Sequence, residues 1–226
     1  YFINHVVLTQ YGMRKGLQVF GDRGLAAIKK EMQQFHDLDV ITPLDVKTMS
    51  KQQKSRALSY LMFLKEKRDG NIKGRGCADG RKQRLWMQKE QTSSPTVSNQ
   101  ALFLSCLIDA KERRDTATAD VPGAFLQTPN EGEVIIRLDR QMAVQLARIN
   151  PKYAKDMIEE KGQKVIYGKA NKALYGTLNA SLLFWKDLTG TIGDWKFGDD
   201  NDGFILNPYD TCVANCMING KQCTIL

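Results

Sequence analysis

The chain has 226 residues, of which 42% are hydrophobic and 26% charged, a balance that excludes an intrinsically disordered protein. No apolar run approaches the about 20 residues needed to span a bilayer, which excludes a membrane-spanning helix. The formal net charge is +8 at pH 7, and the whole excess lies in residues 47–91, which carry 13 Lys and Arg against 4 Asp and Glu. Such a concentrated basic block indicates a nucleic-acid or phosphate partner, the alternative being a merely solvated surface.

The chain begins Tyr-Phe-Ile-Asn-His, without Met and without the basic-then-apolar order of a signal peptide. We therefore expect a fragment at the N-terminus and an intracellular protein. Five cysteines, odd in number and widely scattered, favour a reducing compartment over a disulfide framework. Three of them invite a zinc interpretation, but they lack a CxxC pair, and the two histidines are remote; buried thiols on a hairpin are favoured instead for Cys212, Cys216 and Cys223.

The first predicted element is an amphipathic helix over residues 22–40, with apolar residues at steps of three and four. A β-hairpin follows: one strand from Ser59 to Arg68, a tight turn at Asp69-Gly70, and a returning strand from Asn71 to Ala78. The basic block is therefore largely a hairpin with charged flanks. After an irregular Ser/Thr-rich connection, Ser98 is placed to cap a helix that runs to about Lys111.

A short Thr/Ala strand ending at Asp120 comes next, then strands at 133–138 and 164–169 with a helix near 141–149 between them. A second long helix is predicted over 179–192. The clearest signal is the last one, because Asn219-Gly220 between two β-rich runs is a strong hairpin turn. Helices and strands are mixed without βαβ regularity, so the predicted class is α+β.

The segment Thr116–Leu126 contains the candidate catalytic carboxylate. It delivers one carboxylate, Asp120, to the end of a strand; the backbone turns at Pro122-Gly123, and Phe125 arrives five residues after the Asp. A metal-dependent polymerase needs such a carboxylate at its first catalytic motif, to hold Mg²⁺ ions that clamp the attacking and leaving oxygens. The alternative is that Asp120 is only a turn residue.

Three segments together resemble the reverse transcriptase of copia-type retrotransposons. Residues 73–80, KGRGCADG, are similar to the family's KARLVAKG strand; residues 120–126, DVPGAFL, to its DVKTAFL motif; and residues 172–176, KALYG, to its KALYGLKQ motif. The resemblance runs in order over roughly residues 22–226. It implies a right-hand polymerase: an N-terminal extension at 1–21, fingers at 22–95 and 131–170, and palm at 96–130 and 171–226.

The resemblance also implies roles for single residues. Asp120 would be the catalytic metal ligand, with the backbone carbonyl of Val121 beside it, and the ions would be Mg²⁺ or Mn²⁺. The partners would be an RNA template, a DNA or RNA primer and dNTPs, in a cytoplasmic virus-like particle. No membrane partner is expected.

The remaining residues would form the nucleotide site. Lys73 and Arg75, two apart on one strand face, would meet the triphosphate. Phe125 would exclude a 2′-hydroxyl, Tyr175 would stack near the templating base, and Gly176 would let backbone approach the nucleotide. For each residue the alternative is an ordinary structural role: solvated charge, core packing or a turn.

The chain departs from the family in two places. After Gly176 it continues Thr-Leu-Asn-Ala-Ser where the family commonly has LKQ and Pro-Arg. The family's palm hairpin with two adjacent aspartates is also missing. Phe197-Gly198-Asp199-Asp200 is rejected because its neighbours are polar and turn-rich, and we expect the doublet just beyond Leu226. We therefore expect no polymerisation by this chain, and a non-catalytic nucleic-acid-binding remnant using residues 47–91 is the alternative.

Overall fold

The computed structural model describes residues 10–197 and 202–226. Its strands are β1 Gln10–Gly12, β2 Ile41–Pro43, β3 Leu58–Glu66, β4 Ile72–Ala78, β5 Ile135–Asp139, β6 Ile158–Glu160, β7 Gln163–Ala170, β8 Lys196–Phe197, β9 Asp202–Gly203, β10 Ile205–Leu206, β11 Ala214–Ile218 and β12 Lys221–Ile225. Its helices are α1 Met13–Asp37, α2 Lys51–Arg56, α3 Asn99–Glu112, α4 Ala124–Gln127, α5 Arg140–Ile149, α6 Pro151–Lys155 and α7 Ala180–Asp194, with 3₁₀ turns at Gly80–Leu85 and Lys89–Gln91.

Strands β1 to β7 form one mixed sheet, ordered β1-β3-β5-β7-β2, with β4 paired to β3 and β6 paired to β7. The long strand β3 holds it together, because β4 runs along one edge while β1 and β5 share the other. Only the β3–β5 pair is parallel among these pairings. The coarse α+β expectation agrees with this mixed fold.

Helix α1 covers one face of the sheet. Its apolar stripe is buried, as the three-and-four spacing predicts, through Ile28, Met32 and Phe35. These side chains pack against the inward residues of β3, which alternate with exposed ones along the strand. The helix begins earlier than predicted, at Met13, and its backbone is non-helical at Gly21, where two helical stretches meet. Residues 10–21 of the predicted N-terminal extension form β1 and the first part of α1.

The two predicted hairpins are confirmed. Strand β3 pairs with β4 from Tyr60↔Ala78 to Glu66↔Ile72, around the turn at Asp69-Gly70. Strand β11 pairs with β12 around Asn219-Gly220, where both turn residues have positive φ, as a two-residue hairpin turn requires. This second hairpin joins β10 in a small sheet that packs beside Ile192 of α7.

Helix α3 has the predicted cap, because the Ser98 hydroxyl accepts a hydrogen bond from the Ala101 amide at 3.1 Å. Its apolar residues, however, face solvent. Phe103 is 66% exposed and Leu107 68%, and no residue of the helix is buried. Among residues 10–197 and 202–226, none of the helices combines the length and apolar character needed to cross a bilayer.

Candidate nucleotide and nucleic-acid site

Strand β4 presents the two predicted phosphate-binding side chains on one face. Lys73 and Arg75 are exposed, and they alternate with buried Gly74 and Gly76. The pairing register places Lys65 of β3 opposite Lys73 and Phe63 opposite Arg75. Lys73 and Arg75 form no ion pair with any residue in the described part of the chain. Their charges are therefore available to an anionic ligand.

One carboxylate lies behind this strand. The Gly76 amide donates a hydrogen bond to Glu31 Oε1 at 3.2 Å. Burial raises the pKa of the Glu31 carboxyl above its ordinary value, although the Gly76 hydrogen bond and the charges of Lys73 and Arg75 oppose part of the rise. The Glu31 carboxyl therefore lies close enough to the basic strand for both cations to act on its pKa.

Tyr60 explains why position 76 is a glycine. A Cβ at Gly76 would lie 2.1 Å from the Tyr60 hydroxyl oxygen, so a larger residue would displace the ring. Burial, followed by the nearby Glu31, Cys77 and Tyr175, raises the pKa of the Tyr60 hydroxyl well above its ordinary value. Tyr60 is thus a neutral, buried phenol under the basic strand.

The turn at Tyr175-Gly176 docks on the end of β4. The Ala78 amide donates a hydrogen bond to the Tyr175 carbonyl oxygen at 2.7 Å. Gly176 has a φ of +89°, and a Cβ there would lie 2.1 Å from the Ala78 carbonyl oxygen. Gly176 therefore approaches the backbone of β4 closely, and this contact joins two motifs that are remote in sequence.

Two predicted site residues form an aromatic pair at this junction. The ring centroids of Phe125 and Tyr175 are 4.6 Å apart, and Phe184 of α7 packs edge-on against Phe125 at 5.9 Å. Tyr175 is 41% exposed, whereas Phe125 is half-buried. The pair leaves an aromatic surface beside the basic strand, which suits contact with a sugar or a base.

Asp120 does not stand at the end of a strand, so that prediction is wrong. Residues 115–121 are exposed and have no regular structure. A strand needs a hydrogen-bonded neighbour, and none of the pairings in the described chain includes residues 116–120. The Asp120 carboxylate itself is exposed and lies five residues before Phe125.

The turn after Asp120 affects the second predicted metal ligand. The Val121 carbonyl oxygen accepts a hydrogen bond from the Ala124 amide at 3.2 Å, and Gln127 Nε2 donates to the Pro122 carbonyl at 2.7 Å. Gly123 adopts a left-handed φ of +64° in this turn. One lone pair of the Val121 carbonyl oxygen is therefore used within this turn, and a carbonyl oxygen has two.

In residues 10–197 and 202–226, no three His, Cys, Asp or Glu side chains converge on a point where a metal could bind. The rejected Asp199-Asp200 doublet lies outside the described residues. The three C-terminal cysteines lie on or beside the small sheet, where Cys216 is buried and faces Cys223 across β11 and β12.

The structure adds residues that the sequence analysis missed. Glu31 and Tyr60 lie in regular helix and strand patterns that indicate only packing. Gln83 is 2% exposed, and its Oε1 accepts a hydrogen bond from the Leu178 amide at 2.9 Å, just after the Tyr175-Gly176 turn. No local pattern marks Gln83, because its partner is far away along the chain.

No protein-family model, curated protein or solved structure matches this chain.

Proposed function

We propose that this chain is the nucleotide- and template-binding part of an RNA-directed DNA polymerase of the copia type. One observation carries the proposal: three motifs far apart in sequence meet at the end of β4. Lys73 and Arg75 lie on that strand, the Tyr175-Gly176 turn docks on Ala78, and Phe125 stacks against Tyr175. If each motif had only a structural role of its own, the three motifs would not need to lie next to one another.

The groups on these motifs suit the parts of an incoming nucleotide, with Arg75 and Lys73 three and five residues before Ala78 along β4. Two unpaired cations on one strand face suit a triphosphate. The aromatic pair suits the sugar and base, where a 2′-hydroxyl distinguishes an rNTP from a dNTP. The protein's work in phosphoryl transfer is mostly positioning and charge neutralisation, and the primer 3′-hydroxyl is the nucleophile.

Asp120 is the proposed metal ligand of this chain. An exposed carboxylate with the free lone pair of Val121 is an all-oxygen donor set, which suits Mg²⁺ or Mn²⁺ with waters and substrate phosphates completing the shell. The bound ion would neutralise phosphate charge and orient the reacting oxygens. Two-metal chemistry also needs a further carboxylate next to Asp120.

The second candidate is a nucleic-acid-binding protein without catalysis. It is favoured by the isolated position of Asp120 and by the basic surface of residues 47–91, where Lys51, Lys54, Lys65 and Arg84 are also exposed. The two candidates differ in what they predict for nucleotide binding. Only the polymerase uses Lys73 and Arg75 for a nucleotide as well as for a strand.

The test is a pair of titrations of the double variant Lys73→Ala/Arg75→Ala, one with a dNTP and Mg²⁺ and one with a single-stranded oligonucleotide. The polymerase proposal expects both affinities to fall, and the slope of log affinity against log salt for the strand to fall by about 1.4. The control Lys186→Ala/Lys221→Ala removes two exposed charges outside the basic block. If the β4 variant binds the dNTP as the wild type does, the polymerase proposal fails.

A further inference from the structure

A cavity of about 290 Å³ lies between α2, the 3₁₀ turn at Gly80–Leu85, the residues before β5 and the start of α7. Its lining includes side chains from four remote parts of the chain, which are Arg56, Gln83, Trp86, Glu133 and Asn179. Sites for drug-sized ligands occupy about 300–1,000 Å³, so this volume suits a small, flat group.

One wall of the cavity is a charged aromatic stack. The Arg56 guanidinium lies over the Trp86 ring, 5.2 Å from its centroid. Arg56 is exposed at the end of α2, and Trp86 is half-buried against the main core. Aromatic and guanidinium planes of this kind are the surfaces on which unpaired bases stack.

The other walls provide hydrogen-bonding edges. The Glu133 carboxylate accepts a hydrogen bond from Gln53 Nε2 at 2.7 Å. Asn179 Oδ1 is buried and has no hydrogen-bond partner. Because a 180° rotation of the amide exchanges its oxygen and nitrogen in nearly the same space, Asn179 can offer either an acceptor or a donor.

The side-chain oxygen of Asn179 contributes no hydrogen bond to the fold. It stands at the N-terminal boundary of α7, yet its side chain caps no backbone amide there. Buried polar atoms are normally paired, and an exception of this kind calls for an explanation such as a ligand. Asn179 lies three residues after Gly176, and Gln83 links the cavity to the same turn through Leu178. The cavity therefore adjoins the proposed nucleotide site.

We propose that this cavity binds one unpaired nucleobase of a nucleic-acid strand. A base has the flat shape that the Arg56–Trp86 wall accepts, and its edge carries both donors and acceptors for Asn179, Gln83 and Glu133. Glu133 inside the cavity disfavours a phosphate there. The backbone phosphates would instead meet exposed cations on two of the elements that line the cavity, which are Lys51 and Lys54 of α2 and Lys82 and Arg84 of the 3₁₀ turn. This inference rests on the proposed function, because it says which part of the bound nucleic-acid strand, an unpaired base, enters the cavity.

The test compares two fluorescent probes of equal length at fixed salt: a single-stranded oligonucleotide and the same backbone with abasic sugars. We expect the wild type to bind the base-bearing probe at least about fivefold more tightly. Asn179→Ala and Arg56→Met should bring this ratio close to one. Lys73→Ala/Arg75→Ala should weaken both probes and leave the ratio unchanged. Asn179→Ala should unfold as the wild type does, since its Oδ1 has no partner to lose.

Equal binding of the two probes by the wild type overturns the base site and leaves the proposed function standing. A ratio that Asn179→Ala and Arg56→Met do not change overturns it as well. If neither probe binds, the proposed function fails, and the cavity is tested with millimolar adenosine or cytidine. The readout is the indole N–H resonance of Trp86, assigned with Trp86→Phe. If the nucleoside moves this resonance, and moves it less in Asn179→Ala, the result supports a base site independently of strand binding. If the nucleoside does not move the resonance, the base site is overturned.

Discussion

Gly176 and Ala78 are in closer backbone contact than any side chain at position 176 would allow. A Cβ there would lie 2.1 Å from the Ala78 carbonyl oxygen, and the φ of +89° is one that residues with side chains rarely adopt. Gly80 reinforces the contact, since its own Cβ would lie 2.2 Å from the Gly176 carbonyl oxygen. The alignment of the basic strand with the aromatic pair therefore depends on the absence of two side chains.

The first prediction concerns Gly176→Ala. Because the new methyl group meets backbone atoms and not a flexible side chain, we expect the free energy of unfolding to fall by at least about 1–3 kcal/mol. Urea unfolding measures it. Gly190→Ala is the matched control, since Gly190 lies in α7 with nothing within 4 Å of the added Cβ. That change should be neutral or stabilise by up to about 1 kcal/mol. Equal stability of Gly176→Ala and wild type would contradict the docking.

The second prediction uses the raised pKa of Glu31. An acid whose pKa is higher in the folded than in the unfolded state binds more protons when folded, so it lowers stability as the pH rises through its ordinary value of 4.5 and then its folded value. Glu31→Gln can still accept the Gly76 hydrogen bond but does not ionise. We expect the variant to gain stability relative to the wild type as the pH rises above the ordinary value of 4.5, as measured by urea unfolding. A constant difference would show that the carboxyl is not perturbed.

The third prediction concerns the exposed apolar surface of α3. Phe103→Ser and Leu107→Ser should each change the free energy of unfolding by no more than about 0.5 kcal/mol, because neither side chain is buried. The helix propensity of Ser is close to that of Phe and only a few tenths of a kcal/mol below that of Leu. Ile28→Ala in α1, at a fully buried position, should cost about 2–5 kcal/mol. Thermal unfolding compares the three variants, and a large loss at Phe103 would show that α3 is packed in solution.

The fourth prediction separates Asp120 from its neighbours. Asp120→Asn should weaken Mg²⁺-dependent dNTP binding by at least about tenfold, because the amide is a poor ligand for a hard cation. Binding of a single-stranded oligonucleotide should not change. Asp115→Asn is the control, since Asp115 is an exposed carboxylate in the same irregular segment. Isothermal titration with and without Mg²⁺ measures the effect, and identical results for the two variants would remove Asp120 from the proposed site.

Local patterns predicted the parts of the fold that local forces determine. Positive φ occurs at Gly70 in the β3–β4 connection and at Asn219-Gly220 in the β11–β12 turn. In the first hairpin, burial alternates along both strands in agreement with their register. The helix at 22–37 follows from its apolar stripe. Predictions failed where a distant partner decides the outcome. Residues 116–120 have strand-forming composition, yet in the described chain no strand pairs with them.

The candidate site shows the same division. Lys73 and Arg75 were predictable, because two residues at a spacing of two share a strand face. The contact of Gly176 with Ala78 was not predictable, because only the folded chain brings these two residues together. The cavity at Arg56 and Asn179 was not predictable, since its lining residues are far apart in sequence and none belongs to a recognisable motif.

The order of strands in the large sheet has a consequence for synthesis on the ribosome. The β3–β4 hairpin can close as soon as Ala78 has emerged, because its pairings are local. The parallel pairing of Leu58 with Ile136 and the pairing of Ile41 with Ala170 close long loops and must come later. Until then the second edge of β3 lacks β5, and such an open edge invites pairing with other chains. The nascent chain is therefore most prone to aggregation between the emergence of Ala78 and that of Asp139.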